Sequence, residues 1–138
     1  MSLEENKAIV QRFFDECHNQ KNLDAMSEIT ASTLVRHGPE GDTTSDLEKR
    51  RKGLSEMFDA SPDLHDEILN IIAEGDKVGV LLTRNQTFLN QFRGLPPTGE
   101  KVSLWAYELF RIANGKIVEI WSIFDSVALQ KFLGTYGK

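Results

Sequence analysis

Residues 102–124 read VSLWAYELFRIANGKIVEIWSIF, and they carry the clearest structural signal in the chain. Residues 102–112 and residues 117–124 are rich in Val, Ile, Leu and aromatic side chains, a composition that is typical of β-strands. Between the two runs lies Asn114-Gly115, a dipeptide that strongly favours a tight hairpin turn. The stretch therefore predicts two antiparallel strands joined by a short turn.

A second pair of strands precedes this hairpin. Residues 68–73 and residues 78–88 have strand-like composition, and the Glu-Gly-Asp-Lys sequence of residues 74–77 is typical of the turn between them. Residues 89–101 contain two prolines and two glycines and are predicted to form a connecting loop. The second half of the chain is therefore expected to form an antiparallel sheet.

Helical periodicity dominates the first part of the chain. Apolar residues recur at helical spacing in residues 3–18, and Ser2 and Glu5 have the spacing of a capping box at the start of that helix. A short second helix is predicted over residues 23–29. These helices precede the strands along the chain.

A third helix is predicted to begin at a second capping box, formed by Ser45 and Glu48, and to end before Pro62. Residues 34–35 are predicted to form a brief strand, and residues 37–44 a loop, because that segment contains two glycines and a proline.

A final short helix is expected over residues 127–133, capped by Asp125 or Ser126. Helices that come first and antiparallel strands that follow indicate an α+β fold, in which the helices cover one face of a curved, mostly antiparallel sheet. With 138 residues, the chain is expected to be one domain, residues 1–138.

Composition excludes several classes of protein. The formal net charge is −5, which argues against a nucleic-acid binder and against a basic membrane-surface protein. No apolar run is long enough to span a bilayer, and the N-terminal residues lack the pattern of a signal peptide. A cytoplasmic location is the expectation. The single cysteine, Cys17, excludes an intramolecular disulfide and is predicted to be buried and unreactive.

One face of the predicted sheet is left without a covering layer of chain. A strip of that kind favours a homodimer that buries it. The side chains assigned to this outer face are Trp105, Tyr107, Leu109, Trp121 and Ile123.

A family resemblance is carried by the stretches AEGDKV (73–78), FRGLPPTG (92–99), LFRI (109–112), NGKIVE (114–119) and Trp121. Together these stretches resemble the SnoaL-like polyketide cyclase family, within the nuclear transport factor 2-like superfamily. The resemblance implies a cone-shaped α+β barrel, wrapped around the N-terminal helices, with a pocket between sheet and helices, and members that are commonly dimers or tetramers. It also implies cofactor-free aldol chemistry, in which a carboxylate moves a proton next to a carbonyl group, with no metal.

The last strand departs from the family pattern. The family usually reads Val-Glu-His-Trp-Asp there, whereas this chain has Ile120 and Ser122 at the positions of the histidine and the aspartate. These two positions share one face of a strand, the pocket face. Since serine does not titrate near neutral pH, it cannot replace the carboxylate as proton carrier.

Glu108 is the remaining candidate for a catalytic carboxylate. It shares one strand face with Ala106 and Phe110, and burial between apolar neighbours would favour general acid–base chemistry. The alternative, which the same pattern favours more, is a structural ion pair with Arg84 on the adjacent strand. Gln86 lies on the same face of that strand as Arg84.

His37 lies where the family often has a histidine or aspartate at the pocket mouth, so it could orient a carbonyl group or carry a proton. The alternative is a histidine that only packs a loop. His18 and His65 are expected to be solvated, and the three histidines do not match a zinc-ligand spacing. The residues predicted to contact a ligand are Arg84, Gln86, Phe14, Phe58, Phe88, Ser122 and Ile120.

Two functional hypotheses follow. The first is a cofactor-free enzyme that isomerises, cyclises or dehydrates a small apolar or aromatic carbonyl compound, with Glu108 carrying the proton. The second is a non-catalytic ligand-binding or dimerisation protein on the same scaffold, because Ile120 and Ser122 replace the usual histidine and aspartate.

Overall fold

The computed structural model describes residues 2–92, 94, 96–125 and 127–128. Helical segments come first and a β-hairpin interrupts them, after which four strands follow in sequence. The elements are α1 (Leu3–Arg12), a π-helix (Phe13–Asn19), a 3-10 turn (Leu23–Ala25), α2 (Met26–Ile29), β1 (Thr30–Gly38), β2 (Gly41–Asp46), α3 (Leu47–Ala60), β3 (His65–Glu74), β4 (Lys77–Thr87), β5 (Lys101–Ala113) and β6 (Lys116–Phe124).

The described strands form one six-stranded sheet in the order β2-β1-β6-β5-β4-β3. Neighbouring strands are antiparallel except for β1 and β6, which run parallel. The expected α+β class and mostly antiparallel sheet are therefore confirmed. The sheet is open, with β2 and β3 as its edges, so the described strands do not close into the expected barrel.

The core lies between the helices and one face of the sheet. Along β5 the even-numbered side chains are buried and the odd-numbered ones are more exposed, which is the two-residue period of a β-strand. Phe14 and Phe110 meet edge to face with ring centroids 5.8 Å apart, which joins the first helical segment to β5. Trp105, Tyr107 and Ile123 lie on the opposite, exposed face.

The first helix begins as predicted. The Ser2 hydroxyl accepts the Glu5 backbone N–H at 3.1 Å, and the Glu5 carboxylate accepts the Ser2 backbone N–H at 3.0 Å. From Phe13 the helix widens into a π-helix that ends at Asn19. The wider turns change which side chains face the core, with consequences for His18 described below.

The N-cap of the third helix lies one residue later in the chain than predicted. Asp46, rather than Ser45, is the N-cap residue, and its carboxylate accepts the Lys49 backbone N–H at 2.8 Å. Ser45 still belongs to β2, where it lies opposite Leu34. The helix ends before Pro62, as predicted.

The segment predicted as a loop, residues 37–44, is a β-hairpin instead. Strand β1 continues to Gly38 and β2 begins at Gly41, so only two residues form the turn. The side chains of β2 are mostly exposed and polar, so the segment lacks the alternation that identifies a half-buried strand. The predicted final helix falls mostly outside the described residues, but the Asp125 carboxylate accepts the Ala128 backbone N–H at 3.1 Å, as expected of its cap.

Candidate functional site

A cavity of about 430 Å³ lies between the helices and the inner face of the sheet. Its apolar walls come from the π-helix, α2, α3 and the inner sides of β1 and β6. Its charged side chains belong both to α3 and to strands of the sheet. The apolar lining includes Phe13, Met26, Leu34, Leu54, Met57, Ile120 and Phe124, and the charged lining is Arg36, Lys49, Arg50, Arg84 and Glu108.

Glu108 lies on the cavity wall and is only 3% exposed. Arg36 Nη1 donates a hydrogen bond to Glu108 Oε2 at 2.8 Å, and Ser122 Oγ donates to the same oxygen at 2.9 Å. The β5–β6 register, which places Glu108 directly opposite Ser122, explains the second contact. Both bonds reach Oε2, so Oε1 receives no hydrogen bond from the described residues and is the oxygen available to a ligand.

The predicted ion pair between Glu108 and Arg84 is wrong, because the carboxylate bonds Arg36 instead. Arg84 makes a two-pronged ion pair with Asp66, with Nε and Nη2 at 2.8 and 2.9 Å from the two carboxylate oxygens. Strand β3 begins three residues before its predicted start, and this extension places Asp66 directly opposite Arg84. Arg84 still lines the cavity, and its Nη1 has no hydrogen-bond partner among the described residues.

The Asp66 carboxylate is an ionised group in a buried setting. Burial by itself would raise the pKa of Asp66, but the hydrogen bonds and positive charge of Arg84 outweigh it and hold that pKa below its ordinary value. Since the carboxylate neutralises Arg84, the guanidinium can stay charged at the cavity wall.

His18 was expected to be solvated, and this expectation is wrong. The side chain is buried, lines the cavity and lies edge to face with the Phe13 ring at 4.6 Å. Its Nδ1 is 3.0 Å from the Phe13 carbonyl oxygen, an acceptor, so Nδ1 carries the proton. Burial lowers the pKa of His18, which keeps the ring neutral at physiological pH. In the sequence, His18 follows Phe14 by four residues, a spacing that could have indicated a position on the same buried helix face.

His37 does not line the cavity. It follows Arg36 on β1, and consecutive strand residues point to opposite faces, so Arg36 points inward and His37 outward. Its ring stacks on Trp121 with centroids 5.1 Å apart. Its nitrogens contact Glu119 at 2.5 Å and Asp42 at 2.8 Å. The hydrogen bonds that the ring donates, first to the Glu119 carboxylate and then to the Asp42 carboxylate, raise the pKa of His37.

Of the remaining residues predicted to contact a ligand, Ile120 lines the cavity and Ser122 holds Glu108. Gln86 is buried, with its amide nitrogen 3.3 Å from the Ser61 hydroxyl. Phe14 is a core residue and Phe88 belongs to a separate apolar cluster.

The Lys21 ammonium lies 5.4 Å from the centre of the Phe58 ring. The cavity wall, as far as the structure describes it, does not include Phe14, Phe58, Gln86 or Phe88.

Cys17 is buried, as predicted, and burial raises the pKa of its thiol to about 11.

The described residues contain no group of three or more His, Cys, Asp or Glu side chains placed to hold a metal ion. Their helices include none that is long and apolar enough to cross a membrane.

Helices laid over an open, mostly antiparallel sheet, with a cavity between the layers, define the nuclear transport factor 2-like class of α+β protein. The sequence profile of the SnoaL-like polyketide cyclase family matches residues 8–133. The chain therefore belongs to the SnoaL-like polyketide cyclase family. The comparison with curated proteins gives no match.

Solved structures agree with this assignment. AclR from Streptomyces galilaeus, described as a candidate hydroxylase, is 28% identical, with a TM-score of 0.80 over 96% of this chain and 98% of that one. IdmH from Streptomyces antibioticus, a candidate polyketide cyclase, is 25% identical, with a TM-score of 0.80 over 94% and 98%. A candidate SnoaL-like polyketide cyclase from Jannaschia sp. CCS1 has a TM-score of 0.85 at 22% identity over 98% and 94%, which shows the fold alone.

The pKa values of His18 and His37 are expected to lie on opposite sides of the ordinary value for histidine. His18 should stay neutral below pH 6.5, and His37 should stay charged above it. Proton NMR of the three ring Cε1–H resonances, assigned with His37→Asn and His65→Asn variants, measures both. A His18 ring that titrates above His37 would contradict the burial and contacts described here.

The same shifts fix the pH dependence of stability. The pKa of His18 is lower in the folded state, so the unfolded chain binds its proton first and unfolding becomes easier as pH falls below 6.5. The pKa of His37 is higher in the folded state, so the stability from its pairing is complete below pH 6.5 and is lost as pH rises through the folded value. Accordingly, His37→Asn should lower the melting temperature more at pH 6 than at pH 9.

Proposed function

We propose that this protein is a cofactor-free enzyme that moves a proton at a carbon atom next to a carbonyl group, in an apolar or partly aromatic compound bound in the cavity. The observation that carries the proposal is the geometry of Glu108. Its carboxylate is nearly buried and fixed through Oε2, and Oε1 is left without a partner among the described residues at the wall of a mainly apolar cavity. A fixed base beside a bound ligand is what proton abstraction from carbon requires.

The neighbouring groups have complementary roles. Arg36 and Ser122 hold the carboxylate in one orientation through Oε2. Arg84 is held by Asp66 through Nε and Nη2, and its Nη1 can donate to the carbonyl oxygen of the ligand as negative charge develops there. His37, one of the residues that the sequence suggested for orienting oxygen atoms, lies on the other face of the sheet and has no role in this proposal.

The proton balance closes without a cofactor. Glu108 takes a proton from the carbon next to the carbonyl and leaves an enolate. In a cyclisation, the enolate carbon attacks a second carbonyl of the same molecule, a carbon–carbon bond forms, and Glu108 returns the proton to the new alkoxide. In an isomerisation, Glu108 returns the proton to a different carbon. Neither route changes the oxidation state of the molecule as a whole, and both suit a family of cyclases.

The test is proton exchange on an aromatic ketone, methyl β-benzoylpropionate. In D₂O, the enzyme should replace the protons of the methylene group next to the ketone faster than buffer alone, and proton NMR follows the loss of that signal. Matched Glu108→Gln protein separates exchange in the cavity from exchange on the protein surface. A rate equal to that of buffer, with the ester bound in the cavity, would contradict the proposal.

One observation favours a second candidate function, a non-catalytic ligand-binding protein. The Glu108 carboxylate already forms an ion pair and accepts a serine hydroxyl, as a purely structural group would, and Ile120 stands where the family has a histidine. In that case the ester would bind without any exchange, and Glu108→Gln would lower the melting temperature without altering a rate.

The exposed face of the sheet supports a further proposal, a homodimer. Trp105 is 57% exposed, Ile123 59% and Tyr107 41%, and the three lie side by side on β5 and β6. Light scattering after gel filtration is expected to give the mass of a dimer for the wild type and of a monomer for a Trp105→Glu/Ile123→Glu variant. Leu3→Glu, at an exposed position on α1, is the control. A monomeric wild type would refute this proposal.

A further inference from the structure

The charges on the cavity wall are unequal. Among the described lining residues, Arg36, Lys49, Arg50 and Arg84 are cationic, and Glu108 is the single carboxylate. The chain as a whole carries a net charge of −5, so this excess of positive charge is local to the cavity. Glu108 balances Arg36, and Asp66 balances Arg84 from behind the wall. Arg50 and Lys49, on the first turns of α3, remain.

Arg50 is a partly buried guanidinium with neutral partners only. Its Nη1 donates to the carbonyl and hydroxyl oxygens of Ser45, and its Nη2 to the Thr30 hydroxyl and the Ala31 carbonyl. Its Nε is buried without a hydrogen-bond partner among the described residues. A buried charge without a counterion is costly, and burial lowers the pKa of Arg50.

The nearest acidic group does not supply the missing counterion. Asp46 attracts Arg50 at longer range, but its carboxylate caps α3 by accepting the Lys49 backbone N–H at 2.8 Å. The Lys49 side chain is exposed, reaches the same cavity wall and has no ion-pair partner among the described residues. The two cations therefore face the cavity together without an anion from the described residues.

We propose that the ligand of this cavity is anionic, a keto acid whose carboxylate is bound by Arg50 and Lys49 while its carbonyl end lies at Glu108 and Arg84. The assignment of the reacting end rests on the proposed function, whereas the assignment of the anionic end rests on Arg50 and Lys49 alone. A guanidinium beside an ammonium is a favourable site for a carboxylate, because both hydrogen bonds and charge are then satisfied. The apolar lining suits the hydrocarbon or aromatic part between the two ends.

The test compares a keto acid with its own methyl ester, which has the same shape without the charge. The probes are β-benzoylpropionate, its longer homologue δ-benzoylvalerate, and the two methyl esters, with dissociation constants measured by calorimetry. At least one acid is expected to bind wild-type protein about tenfold tighter than its ester, a preference of the size of one charge-assisted hydrogen bond. Equal affinities for both acid–ester pairs would overturn the inference.

Single substitutions show which side chains cause the preference for the acid over its ester. Arg50→Gln should abolish it and Lys49→Gln should reduce it, whereas Lys52→Gln, an equal charge change at an exposed position of the same helix, should leave it unchanged. Because Arg50 also ties α3 to β1 and β2, the melting temperature of its variant is measured alongside. If that variant does not fold, Lys49→Gln against Lys52→Gln decides. A preference that is unchanged by Arg50→Gln or unchanged by Lys49→Gln places the anion elsewhere and overturns the inference.

The two proposals fail separately. If the esters exchange as fast as the acids and bind as tightly, with exchange dependent on Glu108, the anionic ligand is wrong and the proton-transfer function stands. If the acids bind with the expected preference and neither compound exchanges, the anionic site stands and the catalytic function is wrong.

Discussion

Replacing Glu108 with glutamine is expected to slow deuterium exchange of methyl β-benzoylpropionate by between about 100-fold and 10,000-fold, the usual contribution of a positioned general base. Glutamine has nearly the same volume as glutamate, and its carbonyl oxygen can still accept the hydrogen bonds from Arg36 and Ser122. Its amide group cannot take a proton from carbon near neutral pH. The change therefore removes the chemistry and keeps the shape of the cavity wall.

The comparison needs a variant with the same change in a different place. Glu67→Gln meets this need, because Glu67 is an exposed strand residue that does not line the cavity. It should exchange the ester at the wild-type rate. The Arg36 side chain is 40% exposed and keeps its contact with water, so Glu108→Gln should remain folded, which circular dichroism checks. A Glu108→Gln protein that keeps more than half of the wild-type rate would remove Glu108 from the mechanism.

The largest expected loss of stability comes from Asp66→Asn, about 3 kcal/mol in the free energy of unfolding. The Asp66 side chain is fully buried and accepts two hydrogen bonds from Arg84, whose side chain is 12% exposed. Asparagine leaves that guanidinium with a neutral partner and an uncompensated charge. Urea unfolding followed by tryptophan fluorescence measures the change.

The pH dependence of this loss follows from the low pKa of Asp66 in the folded protein. The stability that the pair contributes is present above the ordinary value of 3.8 and is lost as pH falls through the lower folded value. Wild type and variant should therefore converge in acid. Asp59→Asn, at an exposed position on α3, is the control and should change little. A variant as stable as wild type at pH 7 would show that Arg84 does not depend on its partner.

The elements predicted best are those in which local sequence and tertiary environment agree. Residues 102–112 and 117–124 were recognised as strands from their composition, and β5 has the two-residue period of a strand with one face on the core, because its even-numbered side chains are buried and its odd-numbered ones more exposed. The family resemblance placed Glu108 and Ser122 on the pocket face, and the β5–β6 register sets them opposite each other. The Asn114-Gly115 turn was equally local, and Asn114 has the positive φ, 52°, that this turn requires.

The features that sequence analysis missed depend on contacts between distant segments. Arg36 lies on β1, of which only residues 34–35 were recognised, because the β1–β2 hairpin is an exposed polar edge without alternation. Without the full strand, His37 could be placed on the pocket face, although the phase of β1 turns it outward. His18 was expected to be solvated because the change from α-helix to π-helix, which turns its side chain toward the core, has no recognisable pattern in the local sequence.

A crystal structure with methyl β-benzoylpropionate bound tests the role of Glu108 most directly. The ester is expected inside the cavity, with the methylene carbon next to the ketone within about 3.5 Å of Glu108 Oε1 and the ketone oxygen within hydrogen-bond reach of Arg84 Nη1. An ester bound at any other surface, or one whose ketone points away from Glu108 inside the cavity, would contradict this role.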